Sequence, residues 1–293
     1  MNENTKKWLY LILLSFVWGS SFILIKKSLV GLSAMQLGGL RVVFASLFLF
    51  AIGFKSLKTI SKKDWKWLTL AGFLSSFLPP FLFALAQTEI DSGVTSIFNS
   101  IVPLLTTIVG VLLFGAIITK KQVLGVFIGL FGTVALIVAG MELSQGQNYW
   151  YAIFIFISAM GYAFNINIIK RHLSHLSPLS ITTASFAVVF IPSFILVAYS
   201  GFFSQVVDNS EMHTALWYLI ILAVVGTSMA NILFNRLIYI SSPVFAASVT
   251  YIIPLIAVFW GIWDGETINA YQLVGGIIIL FGVWLVNKKK KLT

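Results

Sequence analysis

The sequence consists largely of apolar runs that are each long enough to cross a bilayer. About 20 apolar residues in a helix span the hydrocarbon core. A helix is expected because a segment inside lipid must satisfy its backbone hydrogen bonds within itself. The candidate spans are about 8–26, 34–53, 67–86, 93–116, 122–140, 149–169, 179–200, 215–238, 243–262 and 271–287. The sequence therefore predicts an all-α polytopic membrane protein with ten transmembrane helices.

The residue composition also indicates a membrane protein. Apolar residues make up 59% of the 293 residues and charged residues 10%, whereas soluble domains carry roughly 25% charged residues. Cysteine is absent, which excludes disulfides, thiolate metal sites and cysteine nucleophiles. We expect no catalytic site, metal or cofactor, because the spacings of zinc proteases, serine hydrolases and P-loops are missing. His172 and His175 lie in a basic loop, and we interpret them as solvated loop residues.

The formal net charge of +10 follows an alternating pattern of loops. If the N-terminus is cytoplasmic, the inner segments contain most of the 19 basic residues and the outer segments most of the nine acidic residues. This is the positive-inside pattern of membrane proteins. We therefore expect a multi-pass protein of a prokaryotic inner (plasma) membrane with both termini in the cytoplasm. The pattern explains the basic charge without a nucleic-acid partner.

The two halves of the sequence resemble each other. QVLGVFIGLFG (Gln122–Gly132) aligns with QLVGGIIILFG (Gln272–Gly282), and IVPL (Ile101–Leu104) with IIPL (Ile252–Leu255). This order predicts two five-helix units, residues 1–143 and 144–293. Because five is odd, the second unit must enter the membrane upside down, which gives a 5+5 inverted-topology repeat. Such repeats are typical of secondary transporters, which bind substrate near the midplane between the halves.

Several short motifs resemble a known family. They are WGSSF (Trp18–Phe22), Arg41 with Ala45, the mid-helix prolines Pro103 and Pro254, and Glu266 followed by Gln272 and Gly275. Together they are similar to the EamA family of the drug/metabolite transporter superfamily, over essentially the whole chain. The resemblance implies a carrier that exports or exchanges amino acids, their derivatives, nucleobases or drugs without ATP. The family's glutamate before the last helix of a unit is Glu266 in the second half but Ala116 in the first.

Polar and aromatic side chains within the spans predict a substrate site. Asparagine is costly in lipid, so these side chains should point into the bundle. Helix–helix hydrogen bonding accounts equally well for any single one, but several on neighbouring spans favour a polar pocket. Asn165 is preferred to Asn167, which lies on another helix face, because Asn165 aligns with Ser21. The predicted substrate-binding residues are Trp18, Ser21, Asn99, Tyr162, Asn165, Asn231, Ser248 and Tyr251.

Arg41 lies roughly 10 Å into the second span and needs a partner there. It either binds a substrate carboxylate or forms a structural charge pair with Glu89 or Asp91 at the outer ends of spans three and four. Its position nearer the outer rim than the centre favours the charge pair. Pro103 and Pro254 each free a backbone carbonyl, and we predict that they act as hinges, with tolerated kinks as the alternative.

Taken together, the sequence predicts a secondary transporter that works by alternating access. Its substrate would be a small amphipathic metabolite, such as an amino acid or derivative, which it exports or exchanges. Alternatives within transport are multidrug efflux and metabolite uptake; outside transport they are an intramembrane enzyme and a non-transporting scaffold. All nine acidic residues lie in tails, loops or span edges. Because no carboxylate is central, we expect facilitated diffusion or exchange and not a midplane proton relay.

Overall fold

The computed structural model describes residues 2–141, 148–207 and 209–263, together with eight positions between 274 and 285. Within this part of the chain the secondary structure is helical, without β-strands. The long helices are α1 (Glu3–Ser28), α2 (Ala34–Gly53), α3 (Trp65–Ala86), α4 (Ser92–Phe114), α5 (Lys120–Met141), α6 (Ala152–His172), α7 (Pro178–Tyr199), α8 (Ser210–Ile240) and α9 (Pro243–Ala247 and Val249–Trp263). Seven of these segments, α1–α4 and α6–α8, are long and apolar enough to cross a membrane.

The helices match the first nine predicted spans to within a few residues. Most of the tenth predicted span, 271–287, lies outside the described residues, and its described positions are helical. The predicted boundary between residues 143 and 144, as well as Glu266 and Gln272, also lies outside the described part of the chain. The ten-helix repeat therefore stays a prediction.

Polar side chains cap the N-terminal ends of several helices. The hydroxyl oxygens of Ser33, Ser177 and Ser242 accept hydrogen bonds from the first turns of α2, α7 and α9. Asn209 does the same for α8. Such caps satisfy backbone N–H groups that have no partner within the helix. At the other end of α4, Gly115 adopts a left-handed conformation with φ of 63°, which glycine reaches without steric cost.

Three helix pairs organise the bundle. α2 packs along α7, α1 along α9, and α4 along α6. α3 then packs against α2, α6 and α7, whereas α8 packs against α1, α2 and α7. The main apolar core runs between these helices and draws residues from both halves of the chain. One consequence is that α1, α2, α3, α4, α6, α8 and α9 surround a common space.

Both α3 and α8 contain a π-helical turn, at Gly72–Phe77 and Val224–Met229. In α8 the hydroxyls of Thr227 and Ser228 donate to backbone carbonyl oxygens five residues earlier, over 2.8 and 2.9 Å. The side chains thus stabilise the wider turn by occupying carbonyls that an α turn would use. π turns are frequent at functional sites in proteins, and the turn in α8 borders the cavity described below.

Glycines allow close helix crossings, and Gly161 and Gly282 are two examples. A Cβ on Gly161 in α6 would collide with the backbone carbonyl oxygen of Leu74 in the π turn of α3. A Cβ on Gly282 would lie 2.5 Å from the backbone nitrogen of Gly129 in α5. Residues larger than glycine would push these backbones apart. The glycines of the aligned segments 122–132 and 272–282 therefore meet each other.

The two predicted hinge prolines follow irregular helix turns. Pro103 comes directly after a 3₁₀ turn, Asn99–Ile101, that interrupts α4. Pro254 lies inside α9, a few residues after the junction at Ser248 that separates its two segments. Pro254 removes a backbone hydrogen bond from the interior of its helix, whereas Pro103 lies in the first turn of the segment Val102–Phe114, where a missing N–H costs little. Whether either proline acts as a hinge stays a prediction.

Candidate transport cavity

A cavity with a free volume of about 70 Å³ lies between α1, α2, α3, α4, α6, α8 and α9. Aromatic side chains form most of its wall. The ring of Trp18 meets that of Phe234 edge to face at 4.9 Å, and Phe22 meets Phe83 at 5.8 Å. The ring of Tyr162 stacks on Phe83 at 6.3 Å. Edge-to-face and stacked pairs at these distances are favourable, so the rings form two packed groups in the cavity wall.

Trp18 is fixed by a hydrogen bond across the helix interface. Its indole N–H donates to the backbone carbonyl oxygen of Gly226 over 3.0 Å. Gly226 belongs to the π turn of α8, and a Cβ there would lie 2.7 Å from the hydroxyl oxygen of Ser21. The hydroxyl of Ser21 donates to the carbonyl oxygen of Val17 within α1. The residues Trp18 and Ser21 of the WGSSF motif therefore pack directly against the π turn of α8, and a side chain at position 226 would require the Ser21 hydroxyl to move.

The cationic group of the cavity is Arg41. Its Nε donates to the hydroxyl oxygen of Thr227 over 2.8 Å, and no other described residue accepts a hydrogen bond from its guanidinium. Among the described residues it forms no ion pair with Glu89 or Asp91, so the predicted charge pair does not form there. The physical reason is its direction: Arg41 points towards α8 and the cavity. Its terminal N–H groups are therefore available to a ligand.

Further polar groups of the cavity are on α4 and α9. The side-chain oxygen of Asn99 is buried and accepts no hydrogen bond from the described residues. The Thr250 hydroxyl donates to the carbonyl oxygen of Ala247, and the Thr250 carbonyl accepts from the hydroxyl of Ser100 over 3.0 Å. Buried acceptors without donors are rare and call for an explanation. Asn99 thus offers an acceptor to a ligand in the same cavity that receives the Arg41 donors.

Four of the eight predicted substrate-binding residues meet at this cavity: Trp18, Ser21, Asn99 and Tyr162. The other four lie outside its lining. Tyr251 donates from its hydroxyl to the carbonyl oxygen of Val126 in α5 over 2.9 Å and packs on Gly129. Tyr251 therefore joins α9 to α5 and does not line the cavity. The sequence alone does not show in which direction this side chain points.

The remaining three residues make local contacts or none. The side chain of Asn231 donates to the carbonyl oxygen of Thr227 one turn earlier, over 2.7 Å, and so supports the π turn. Ser248 donates to the carbonyl oxygen of Phe245 over 2.6 Å. Asn165 is buried, and its side-chain oxygen has no hydrogen bond with the described residues. Its neighbour Asn167 instead joins α6 to α4.

The predicted substrate-binding set left out the cavity residues Phe22, Phe83, Phe234 and Thr250. Thr250 is one of the polar residues of the spans that the sequence places inside the bundle. Phe22 belongs to the WGSSF motif, and this motif could have indicated that Phe22 lies in the cavity. Phe83 and Phe234 are two of 26 phenylalanines in the chain, and composition gives no means of separating cavity rings from lipid-facing rings. The role of Thr227 as the partner of Arg41 depends on the π turn, which has no sequence signature that we could use.

Comparisons with known proteins identify the family of the chain. Residues 5–138 and 149–288 each match the EamA-like transporter family. The chain belongs to the EamA-like transporter family. Its relatives include an "Uncharacterized transporter" of Archaeoglobus fulgidus, 26% identical over 98% of this chain and 99% of that protein. The "Probable amino-acid metabolite efflux pump" of Salmonella typhimurium is 22% identical over 94% and 92% of the two chains.

Two further similarities extend the comparison. The "Uncharacterized inner membrane transporter YedA" of Escherichia coli is 26% identical to this EamA-like transporter over 96% of the chain and 90% of YedA. One solved protein structure matches the fold with a TM-score of 0.72 over 97% of this chain and 96% of that one, at 14% identity. This EamA-like protein is therefore a multi-pass membrane transporter, and its substrate is a small molecule.

Two histidines of the transporter lie outside the cavity. His175 is 58% exposed, and its Nε2 lies 3.2 Å from a carboxylate oxygen of Asp64 at the start of α3. The ring of His172 stacks on Trp67 at 3.8 Å. His175 is thus an exposed loop residue that also contacts Asp64. The interpretation as a solvated loop residue is wrong for His172, which lies in the last turn of α6, because the fold brings Trp67 of α3 against its ring. Among the described residues no cluster of three His, Asp or Glu side chains could hold a metal ion.

The ionisation of Asp64 reflects these contacts. Its partial burial opposes the charged form, but hydrogen bonds from Ser61, over 2.8 Å, and His175 stabilise the carboxylate. The hydrogen bonds outweigh the burial and hold the pKa of the Asp64 carboxyl below its usual value. Asp64 therefore remains ionised at neutral pH and links the first turn of α3 to the loop that follows α6.

Proposed function

We propose that this transporter exports or exchanges small amphipathic metabolites that carry a carboxylate, most specifically amino acids or their derivatives. The observation that carries the proposal is the guanidinium of Arg41, which enters an aromatic cavity without an acidic partner among the described residues. A buried arginine is a strong binder of carboxylates, because its planar group can donate two parallel hydrogen bonds.

The rest of the cavity fits the other parts of an amino acid. The free acceptor of Asn99 is suited to an ammonium group, and the faces of Trp18 and Tyr162 also attract cations. The rings of Phe22, Phe83 and Phe234 supply apolar surface for a side chain. The name of the Salmonella typhimurium relative, a probable amino-acid metabolite efflux pump, supports the same class of substrate.

Transport requires the cavity to change its shape. Its free volume of about 70 Å³ is below the roughly 300–1,000 Å³ of ordinary ligand pockets. The walls must therefore separate for a metabolite to enter, as they would during alternating access. The π turns in α3 and α8 and the irregular turns before Pro103 and Pro254 are the candidate places for this movement.

The inverted repeat belongs to the same proposal. The two matches to the family, one in each half of the chain, support a division into the units 1–143 and 144–293. The helix contacts support it too, since α1 packs on α9 as α6 packs on α4, and the π turns occur in the third helix of each unit. The positive-inside pattern of the loops supports cytoplasmic termini.

The test is a counterflow assay in proteoliposomes with labelled amino acids, their carboxamides and cationic drugs. We expect exchange of the amino acids and little exchange of carboxamides or cationic drugs, because Arg41 repels cations and needs a carboxylate. The Arg41→Gln variant should lose exchange, whereas Arg171→Gln, at an exposed arginine, should retain it. Equal exchange of an amino acid and its carboxamide would contradict the role of Arg41, and exchange of cationic drugs would favour multidrug efflux.

A further inference from the structure

A second, larger cavity lies on the lipid-facing side of the bundle, between α1, α2, α7 and α8. It has a free volume of about 710 Å³. We call it the lateral groove and define it by its main apolar residues, which are Leu13, Val17, Phe48, Ile52, Met229 and Leu233. About half of the surface of Leu13, Ile52 and Met229 is exposed. An exposed apolar patch of this kind marks a surface that another apolar group covers.

The lateral groove has one polar end and one apolar end. Arg236 of α8 and Ser177, the N-cap of α7, line it at one end. Ile52 lies at the same level, since its neighbour Gly53 packs on Thr183 and Leu179 in the first turns of α7. Val17 and Val225 line the opposite end.

The length of the groove equals the depth of one leaflet. From Val225 to Arg236, α8 rises about 16 Å. The hydrocarbon core of a bilayer is about 30 Å thick, so one leaflet is about 15 Å deep. A lipid tail that begins at Arg236 would therefore reach the midplane where the groove ends. This agreement favours an acyl chain over a shorter or more polar ligand.

The charge at the polar end selects the headgroup. Arg236 is exposed and contacts the ring of Tyr239 at 5.4 Å, and it forms no ion pair with another described residue. Exposed lysines occupy the same ends of α1 and α2, at Lys6, Lys55 and Lys58. Basic residues at the membrane surface attract anionic lipids. An arginine is also well suited to the oxygens of a phosphate.

From these features we propose that the lateral groove binds one anionic phospholipid, with its phosphate on Arg236 and an acyl chain along α8. The site adjoins the transport cavity. Val17 and Val225 line the groove, whereas the next residues, Trp18 and Gly226, are hydrogen bonded to each other in the cavity wall. The acyl chain thus packs on the lipid-facing side of the contact between α1 and α8. The site does not depend on which substrate the transporter carries.

The test is native mass spectrometry of the delipidated full-length protein in detergent, titrated with phosphatidylglycerol or phosphatidylcholine that have the same acyl chains. We expect one tightly bound lipid, with phosphatidylglycerol preferred about fivefold for its interaction with one basic residue. Arg236→Gln should abolish the preference, whereas Lys58→Gln should largely retain it. Glycerol 3-phosphate, which has the headgroup chemistry without the tail, should not compete.

A second pair of variants tests the groove itself. Met229→Trp fills the middle of the groove and should weaken the binding of both lipids. Met35→Trp makes the same change at an exposed methionine of α2 outside the groove and should bind like the wild type. Gel filtration and thermal unfolding confirm that each variant is folded. The proposal is wrong if Arg236→Gln keeps the headgroup preference, if Lys58→Gln loses it equally, if glycerol 3-phosphate competes, or if Met229→Trp binds normally.

Discussion

Arg41 and Thr227 form a hydrogen bond of 2.8 Å that joins α2 to the π turn of α8. The Thr227 hydroxyl uses its own proton to donate to the carbonyl oxygen of Leu222, so its oxygen is oriented to accept from Arg41. Thr227 thereby fixes the guanidinium by its Nε and leaves the terminal N–H groups directed to the cavity. The wide turn of α8 and the cation of the cavity are therefore one structural unit.

The first prediction tests Thr227 as a positioning residue. Thr227→Val removes the acceptor of Arg41 and should raise the KM for a carboxylate substrate about tenfold, because hydrogen bonds to charged groups contribute about 1.5–3 kcal/mol. Thr227→Ser should restore most of the affinity, since it keeps the hydroxyl. The measurement is the dependence of counterflow on substrate concentration. An unchanged KM in Thr227→Val would show that Arg41 needs no support from this residue.

The second prediction separates two asparagines. Asn99→Leu removes the free acceptor of the cavity and should weaken the exchange of an amino acid about tenfold but not that of its des-amino analogue, which has no ammonium group. Asn231→Leu should exchange the amino acid and its des-amino analogue in the same ratio as the wild type. It should lower the free energy of unfolding by about 1 kcal/mol, because it loses a hydrogen bond within α8. The measurements are competitive counterflow and thermal unfolding. Equal weakening of both substrates in Asn99→Leu would contradict the assignment.

The third prediction concerns helix crossing. Gly161→Ala places a methyl group against the backbone carbonyl of Leu74 and should lower the free energy of unfolding by about 1–3 kcal/mol, as overpacking usually does. Gly93→Ala is the matched control, since a Cβ at Gly93 in α4 meets no atom within 4 Å. It should leave stability unchanged or raise it by up to about 1 kcal/mol. Thermal unfolding in detergent compares the two, and equal stabilities would mean that α3 and α6 can separate freely.

The fourth prediction is a pH dependence. Because the folded pKa of Asp64 lies below its unfolded value, its contribution to stability is present above the unfolded pKa and is lost as pH falls through the folded pKa. Asp64→Asn should therefore be less stable than the wild type at pH 7, by about 1 kcal/mol, and should approach it below about pH 4. Unfolding temperatures between pH 3 and 7 measure the difference. A difference between Asp64→Asn and the wild type that stays constant from pH 7 to pH 3 would contradict this prediction.

The fifth prediction tests the orientation of the chain. Single cysteines can be placed in this cysteine-free protein without background labelling. Cysteines at Thr59 and Ser174, both exposed, should be protected from an impermeant thiol reagent in intact cells. A cysteine at the exposed position Asn209 should react. Permeabilised cells serve as the control, in which all three should react. Labelling of Ser174 in intact cells would contradict the inverted arrangement of the two halves.

Much of the helical pattern could be predicted from the sequence, because lipid requires long apolar helices and the runs are nearly uninterrupted. The contents of the cavity were harder to predict. Trp18, Ser21, Asn99 and Tyr162 meet there, whereas Tyr251 turns towards Val126. The difference depends on the rotation of each helix about its axis. In a membrane protein the lipid-facing side is as apolar as the core, so hydrophobic periodicity gives little information on that rotation.

The π turns determine which changes in chain length the bundle can absorb. Each π turn contains one residue more than an ordinary α turn. The helical segments before and after it pack on their neighbours with this extra residue in place. A one-residue deletion within Gly72–Phe77 or Val224–Met229 would tighten the turn and leave those faces in register. The same deletion elsewhere in α3 or α8 would rotate every later side chain by about 100°. Natural variants of this chain with a shortened third or eighth helix should therefore have lost their residue at these turns.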